Sequence, residues 1–455
     1  MTTHVVLFTR DLRVHDHPAL HAATGAADRV VPLFVFDDAI LSSPYAAPNR
    51  VAFLLDCLED LRGSLRDLGA DLVLRRGDVA DEVAAVVAAT GADTVHLTAE
   101  VSAYGRRREQ RLRDVLTEVR GDGATVEAHP GVTVHAAGAV APTSGDFFKV
   151  FTPYWRRWVE APVREVRPVP DGIVLPDDLD AGGDLPALGD LVEGDPSPEL
   201  QRGGEARARA RLDAWFAGPI EAYEEARNDL SAEGTSRLSA DLHFGTISPV
   251  EVADRVDRRR RGHDGFLQEL CWRDYNHQLL WGFPELPRRD YRTRHDRWRD
   301  DEDAIEAWQA GRTGYPVVDA GMRQLQREGY MHNRARMITA SFLTKHLYVD
   351  WRVGAAWFER WLVDGDVANN RAQWQWTAGT GTDSRPNRMF NPWTQSTKYN
   401  GAGYIRRFVE ELADLADDEV HEPHTNLAGS STDYPPPIVD HADARQRFLE
   451  ARDAG

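Results

Sequence analysis

The chain has 455 residues, 42% of them apolar and 28% charged, which is the composition of a water-soluble globular protein with two or three domains. It contains no run of eighteen apolar residues, and the opening Met1-Thr2-Thr3-His4 lacks the basic and apolar segments of an export signal, so no membrane role and a cytoplasmic location are expected. The net charge of −19 argues against a nucleic-acid partner, but residues 225–400 carry 26 Lys or Arg against 25 Asp or Glu, leaving −20 to the rest of the chain. Within that neutral part, Arg323 to His346 is a basic window with Arg323, Arg327, Arg334, Arg336 and Lys345 against Glu328 alone, which fits a confined phosphate-binding face. Cys57 and Cys271 are far apart and match no metal spacing, so buried thiols are expected.

The first 130 residues alternate β-like and helical patterns. Val5 to Thr9, Val30 to Phe36, Leu72 to Arg75 and Thr94 to Thr98 read as strands. Asn49 to Asp67, Val79 to Ala89 and Gly105 to Arg120 have apolar residues at helical spacing. This alternation predicts an α/β domain built on a doubly wound parallel sheet, with any ligand at the carboxyl ends of the strands, near Arg10, Phe36 to Asp38 and Glu100. No Gly-x-Gly-x-x-Gly follows the first strand, so a dinucleotide site of that type is not supported. Residues 131–204 form a connector, rich in Pro, Gly and Asp from Ala161 onward. Residues 205–455 read as an all-α domain rich in Trp, ending in a tail that looks peripheral.

Four polar clusters punctuate the helical region. Tyr223 precedes Glu233-Gly234-Thr235-Ser236-Arg237-Leu238-Ser239, which suits either a helix cap or a phosphate clamp. Glu269-Leu270-Cys271-Trp272-Arg273 puts Glu269 and Trp272 on one helical face, as a core pair or a site. Met331-His332-Asn333-Arg334-Ala335-Arg336-Met337 is read with Asn333, Arg336 and Met337 on one face and Arg334 on another. The fourth cluster, Asp364-Gly365-Asp366 through Asn370 to Trp374-Gln375-Trp376, has almost no aliphatic core material and groups that are costly to bury unpaired. Trp374 and Trp376, two apart on a helix, look into different environments.

In this order, with Phe8-Thr9-Arg10-Asp11-Leu12-Arg13, Gly314-Tyr315-Pro316 and Phe390-Asn391-Pro392, these motifs resemble the photolyase/cryptochrome family, and within it the class I cyclobutane pyrimidine dimer photolyases. The resemblance covers nearly all of the chain except connector and tail. It implies an antenna-binding α/β domain and a helical domain holding FAD, active in its reduced form. Tyr223, Thr235, Ser236, Arg237, Leu238 and Ser239 match the pyrophosphate clamp. Asn333, Arg336, Asp364, Gly365 and Asp366 match further flavin contacts, and Asn370 aligns beside flavin N5, where plant cryptochromes carry Asp. Trp374, Trp351 and Trp298 match an electron-transfer triad.

On the substrate side, Glu269, Trp272, Arg273, Met337 and Trp376 match residues lining the cavity for a flipped pyrimidine dimer. A protonated Glu269 could there donate to a thymine carbonyl. Arg227, Arg334 and Arg388 are similar to phosphate contacts, although the loop Asp383 to Arg388 is one residue shorter than in some relatives. The implied reaction is light-driven electron transfer from reduced FAD that splits cyclobutane dimers in UV-damaged DNA, by a monomer and without a metal. The segments Ala47 to Ala52 and Ala103 to Arg106 are similar to members using an 8-hydroxy-5-deazaflavin antenna, with Asp37, Arg50 and Glu100 in its pocket and His243 where a relative has Lys. Methenyltetrahydrofolate is the alternative antenna, and a cryptochrome-like photoreceptor without repair is the alternative function.

Overall fold

The computed structural model describes residues 1–177, 179, 181, 183–425 and 431–453; the few connector and tail positions outside these ranges are not described. The chain divides into two compact units: Met1–Pro196 with Arg202–Gly218 and Ser236–Pro284, and Ser197–Gln201 with Pro219–Thr235 and Glu285–Gly455.

The first unit is built on five parallel strands, β1 (Thr3–Phe8), β2 (Arg29–Asp37), β3 (Val73–Gly77), β4 (Thr94–Thr98) and β5 (Thr125–His129), in the order β3-β2-β1-β4-β5. Val5 pairs with Val31 and Val95, and Leu7 with Leu33 and Leu97, which makes one face of the central strand apolar, while Val6 and Phe8 on the other face are buried as well. The four strands read from the sequence are present, with ends shifted by one or two residues. The helices between them are set by their caps: Pro48 opens Pro48–Asp67, Asp78 accepts from the amides of Ala80 and Asp81 before Val79–Thr90, and Ser102 caps Ala103–Arg120. Strand β5 and helix Pro18–Ala26 carry no signal that periodicity finds: β5 is a mostly exposed edge and the helix spans only nine residues. Helix His263–Gly282 also belongs to this unit and is buried along most of its length.

Among its described residues the second unit is helical, around a core that includes Trp308, Tyr315, Phe342, Trp351, Phe358 and Trp374. The tail is not peripheral. Tyr434 and Phe448 are buried, the Tyr434 hydroxyl donates to Asp319, and Tyr315 donates to the carbonyl of Val439 at 2.6 Å. Gly314, at φ +76°, lets the Pro436 backbone approach so closely that any Cβ would overlap it, which accounts for the Gly314-Tyr315-Pro316 motif. The scattered Asp and Ala of the tail concealed these few anchors. No helix among the described residues is long and apolar enough to cross a membrane.

Candidate functional site

In the second unit, Asp366 caps helix Val367–Ala378 through the Asn369 amide at 2.9 Å, and the same oxygen accepts from the Asn369 side chain. Asp364, two residues earlier and buried, forms a two-pronged ion pair with Arg336 at 3.1 and 2.9 Å. Burial works against the Arg336 charge, but Asp364 outweighs it and raises its pKa. Two buried carboxylates and one guanidinium therefore lie at the mouth of one helix. One turn further, both amide hydrogens of Asn370 are committed, to Ala355 O at 3.0 Å and Glu359 Oε1 at 3.1 Å. Its carbonyl is left as an acceptor. Glu359 also clamps Arg371. It is a supporting residue that the sequence did not reveal, since it lies eleven positions away on another helix.

Tyr223 is buried, with Arg227 over its ring at 5.7 Å. Gly234 packs so tightly on Ala226 that a Cβ would lie 2.5 Å from its methyl group, which holds Thr235 beside this short helix, 3.3 Å from the Tyr330 hydroxyl. Asn333 is exposed. Arg334 and Met337 are not on separate faces: three residues apart, they touch, Nη1 to Sδ at 3.5 Å. Arg334 also binds Asn228 and lies over Tyr399 at 4.3 Å. Arg388 lies over Trp376 and Phe390, each at 5.1 Å, so the predicted phosphate contact and the outward tryptophan share one place. The loop behind them is held by Lys345, whose amine donates to the carbonyls of Pro386, at 3.0 Å, and Arg388.

Trp374 is buried, as its spacing predicts, while Trp376 is partly exposed. The Trp374 ring lies 4.9 Å from Phe358 and against Gly354, where a Cβ would overlap it; Gly354 is one turn along the helix from Trp351. Trp351 donates its indole N–H to Asp290 at 2.9 Å. Trp298 packs at 5.0 Å on Tyr348, three residues before Trp351. Trp374 thus packs on a residue three positions after Trp351, and Trp298 on one three positions before it.

The first unit holds Ser236 to Ser239, with Arg237 in the left-handed region at φ 56° and Leu238 at the start of helix Ser239–Phe244. On helix His263–Gly282, Glu269 is partly buried, and Trp272 stacks face to face with Phe151 at 3.6 Å and 4°. Arg273 is buried and donates to the carbonyls of Val132 and Leu242, the latter at 2.9 Å.

The same unit gathers a second cluster at the carboxyl ends of β1, β2 and β4, where a doubly wound sheet places its ligands. Asp37 accepts from Tyr104 and caps the following turn through Ala39; burial raises its pKa. Arg50 is buried, donates to Tyr45 O at 2.9 Å and lies 4.3 Å over that ring. Tyr45 and Arg10 both reach His243 at 3.3 Å. Glu100 pairs with Arg108 at 2.8 Å, and a Cβ on Gly105 would lie 2.6 Å from its Cβ, so a side chain at 105 forces this pocket to shift.

The chain matches the family described as DNA photolyase over residues 4–171 and the FAD binding domain of DNA photolyase over residues 266–454. It is 50% identical to the deoxyribodipyrimidine photo-lyase of Streptomyces griseus, over 99% of each chain. Among solved structures, it superimposes on a bacterial class III photolyase from Agrobacterium tumefaciens with a TM-score of 0.92 at 35% identity, covering 100% of this chain and 98% of that one. An archaeal photolyase from Sulfolobus tokodaii, described with two FAD molecules, gives a TM-score of 0.87 at 30% identity, with 100% of both chains covered.

Proposed function

Because this chain belongs to the DNA photolyase family, we infer that it is a deoxyribodipyrimidine photo-lyase, a light-dependent lyase that splits cyclobutane pyrimidine dimers in DNA. The observation that carries repair over photoreception is Asn370, whose amide hydrogens are tied down and whose carbonyl is left to accept. A neutral acceptor suits a protonated ring nitrogen, whereas a carboxylate would add charge beside it.

The chain has an FAD-binding domain, and its residues fit the group: buried Asp364 and Asp366 for hydroxyl and amine donors, Arg336 as the countercharge that holds Asp364, and Asn370 for the ring edge. Tyr223, Thr235 and the Ser236 to Ser239 run, with Arg237 strained at positive φ, are assigned to the pyrophosphate by the resemblance. FAD, when bound and reduced, supplies an electron donor that light excites. Trp374, Trp351 and Trp298 would relay electrons inward, each oxidised indole refilled from its outer neighbour and Trp298 from a reductant in solution.

On the substrate side, each unit offers an aromatic surface, Trp272 in the first and Trp376 in the second, and stacking of a base on such a ring is worth about 1–3 kcal/mol. Phe151 covers one face of Trp272, whose side chain stays partly exposed. Glu269, in its protonated form, donates to a thymine carbonyl, Met337 is assigned to the lesion by the resemblance, and Arg227, Arg334 and Arg388 hold the DNA backbone. Arg273, with its guanidinium on two carbonyls, braces the helix that carries Glu269 and Trp272.

We place the antenna in residues 1–130, the connector in 131–204, and the flavin and DNA sites in 205–455. The cluster of Asp37, Arg50, Glu100 and His243 is read as a deazaflavin pocket of a class I enzyme that works as a monomer. Mass spectra of extracted chromophore distinguish deazaflavin from folate or a second FAD. The function itself is tested by illuminating purified, reduced protein with DNA containing a defined thymine dimer. Loss of the dimer in light and not in darkness is expected; unchanged dimers at full FAD loading would overturn repair.

A further inference from the structure

Strand β5 ends the sheet of the first unit, with few apolar residues to hold it. Glu127 pairs in register with His96 of β4, and His129 lies two residues beyond Glu127, so all three side chains share one face of the sheet. His4 reaches the same face, because Val6, two residues on, pairs with His96. His96 is buried, and its Nδ1 lies 2.9 Å from His129 Nε2 and 3.5 Å from Glu127 Oε2; His129 Nε2 lies 3.8 Å from the same oxygen. Ligand atoms of a tetrahedral zinc ion at its usual bond lengths stand about 3.3 Å apart, so these three edges bracket that value.

The groups behind the triangle fix its chemistry. His96 Nε2 lies 2.9 Å from His4 Nδ1, and His4 Nε2 lies 3.1 Å from Asp93 Oδ1. His96 Nε2 and His4 Nδ1 share one hydrogen bond, and when His96 donates it, its Nδ1 carries the lone pair. That tautomer aims the His96 Nδ1 lone pair at His129 and Glu127. A hydrogen bond on the second ring nitrogen is how proteins orient an imidazole ligand. Glu127, 55% exposed, leaves a water-facing side for a fourth ligand.

We propose that His96, Glu127 and His129 form a binding site for a divalent transition-metal ion of the zinc class, which ties edge strand β5 to β4. Two imidazoles and one carboxylate suit zinc and, with it, cobalt or nickel, and would not select magnesium or calcium. The site shares no residue with the flavin, antenna and DNA assignments above.

The test uses untagged, FAD-loaded protein treated with chelator and then titrated with Zn²⁺ against a competing indicator. Cobalt serves as a second probe, because its visible absorption is intense only in a tetrahedral site. The wild type is expected to bind one ion, with affinity lowered at least about tenfold in Glu127→Gln and in His129→Gln. Both replaced side chains are at least partly exposed, so both variants should fold, and an unchanged flavin spectrum checks this. A wild type without a saturable site, or variants that bind as well as it does, would overturn the proposal and leave a His129 to His96 hydrogen bond in its place.

Discussion

Asp290 is hydrogen-bonded to the middle tryptophan of the proposed electron relay. It accepts from the Trp351 indole at 2.9 Å and also binds Arg352 at 2.9 Å, whose guanidinium lies 4.6 Å over the Trp351 ring. An indole that loses an electron becomes a cation. The carboxylate stabilises that cation, and Arg352 opposes it. In Asp290→Asn the first effect is lost and the second is no longer neutralised. A hydrogen bond to a charged group is worth about 1.5–3 kcal/mol, so photoreduction of the flavin is expected to slow by roughly tenfold, while repair by chemically reduced protein keeps its rate. Transient absorption and a repair assay on one preparation separate the two; equal loss in both would place Asp290 in the general structure instead. Composition alone could single out the Asp364 to Trp376 run, because so many polar groups in one window demand partners. It could not single out Asp290 or Glu359, ordinary acids whose partners come from distant helices.

At the scale of elements, the π-helical turn Phe342–His346 does what no periodicity suggests. Lys345 reaches the carbonyls of Pro386 and Arg388 in the loop that carries the Arg388 and Trp376 contact, and His346 pairs at 2.9 Å with His441 of the terminal helix. Read as sequence, Lys345 is one more cation in a basic window; in the fold it is buried. Burial, with the charges of Arg452 and Arg388, lowers its pKa to about 7, and Asp383 only partly opposes this. Unfolded, the amine would titrate near 10.5. Between these values the unfolded chain binds the extra proton, so stability rises with pH across the window, by at most about 1.4 kcal/mol per pH unit from this group. Below about pH 7 both states are protonated and the buried charge is destabilising in full. Urea unfolding of wild type and Lys345→Met from pH 7 to 10 should therefore diverge, the variant lacking this rise. Parallel curves would mean that the amine is charged in the folded protein throughout.

For the whole molecule, charge is the property that misleads most if read as a total. A net −19 would repel DNA, yet Arg227, Arg334 and Arg388 lie in the unit that also holds Trp376 and Met337, and two of them sit over the rings of Tyr399 and Trp376. The alternation of β runs and amphipathic helices made the parallel sheet legible, and Asp-Gly-Asp before a helix made the cap legible. The edge strand and the tail were not, since neither buries a regular stripe of apolar residues. On the proposed reading these three arginines meet phosphate, binding releases about one counterion each, and log K should fall against log salt with a slope of about −3. Fluorescence anisotropy with dimer-containing duplex across a salt series measures this, and Arg388→Ala should reduce the slope by about 1 while weakening binding to damaged and undamaged DNA alike. A slope near zero would remove the arginine face from the account. A much steeper one would require further cations, and with so acidic a remainder those must come from the same basic stretch of the chain.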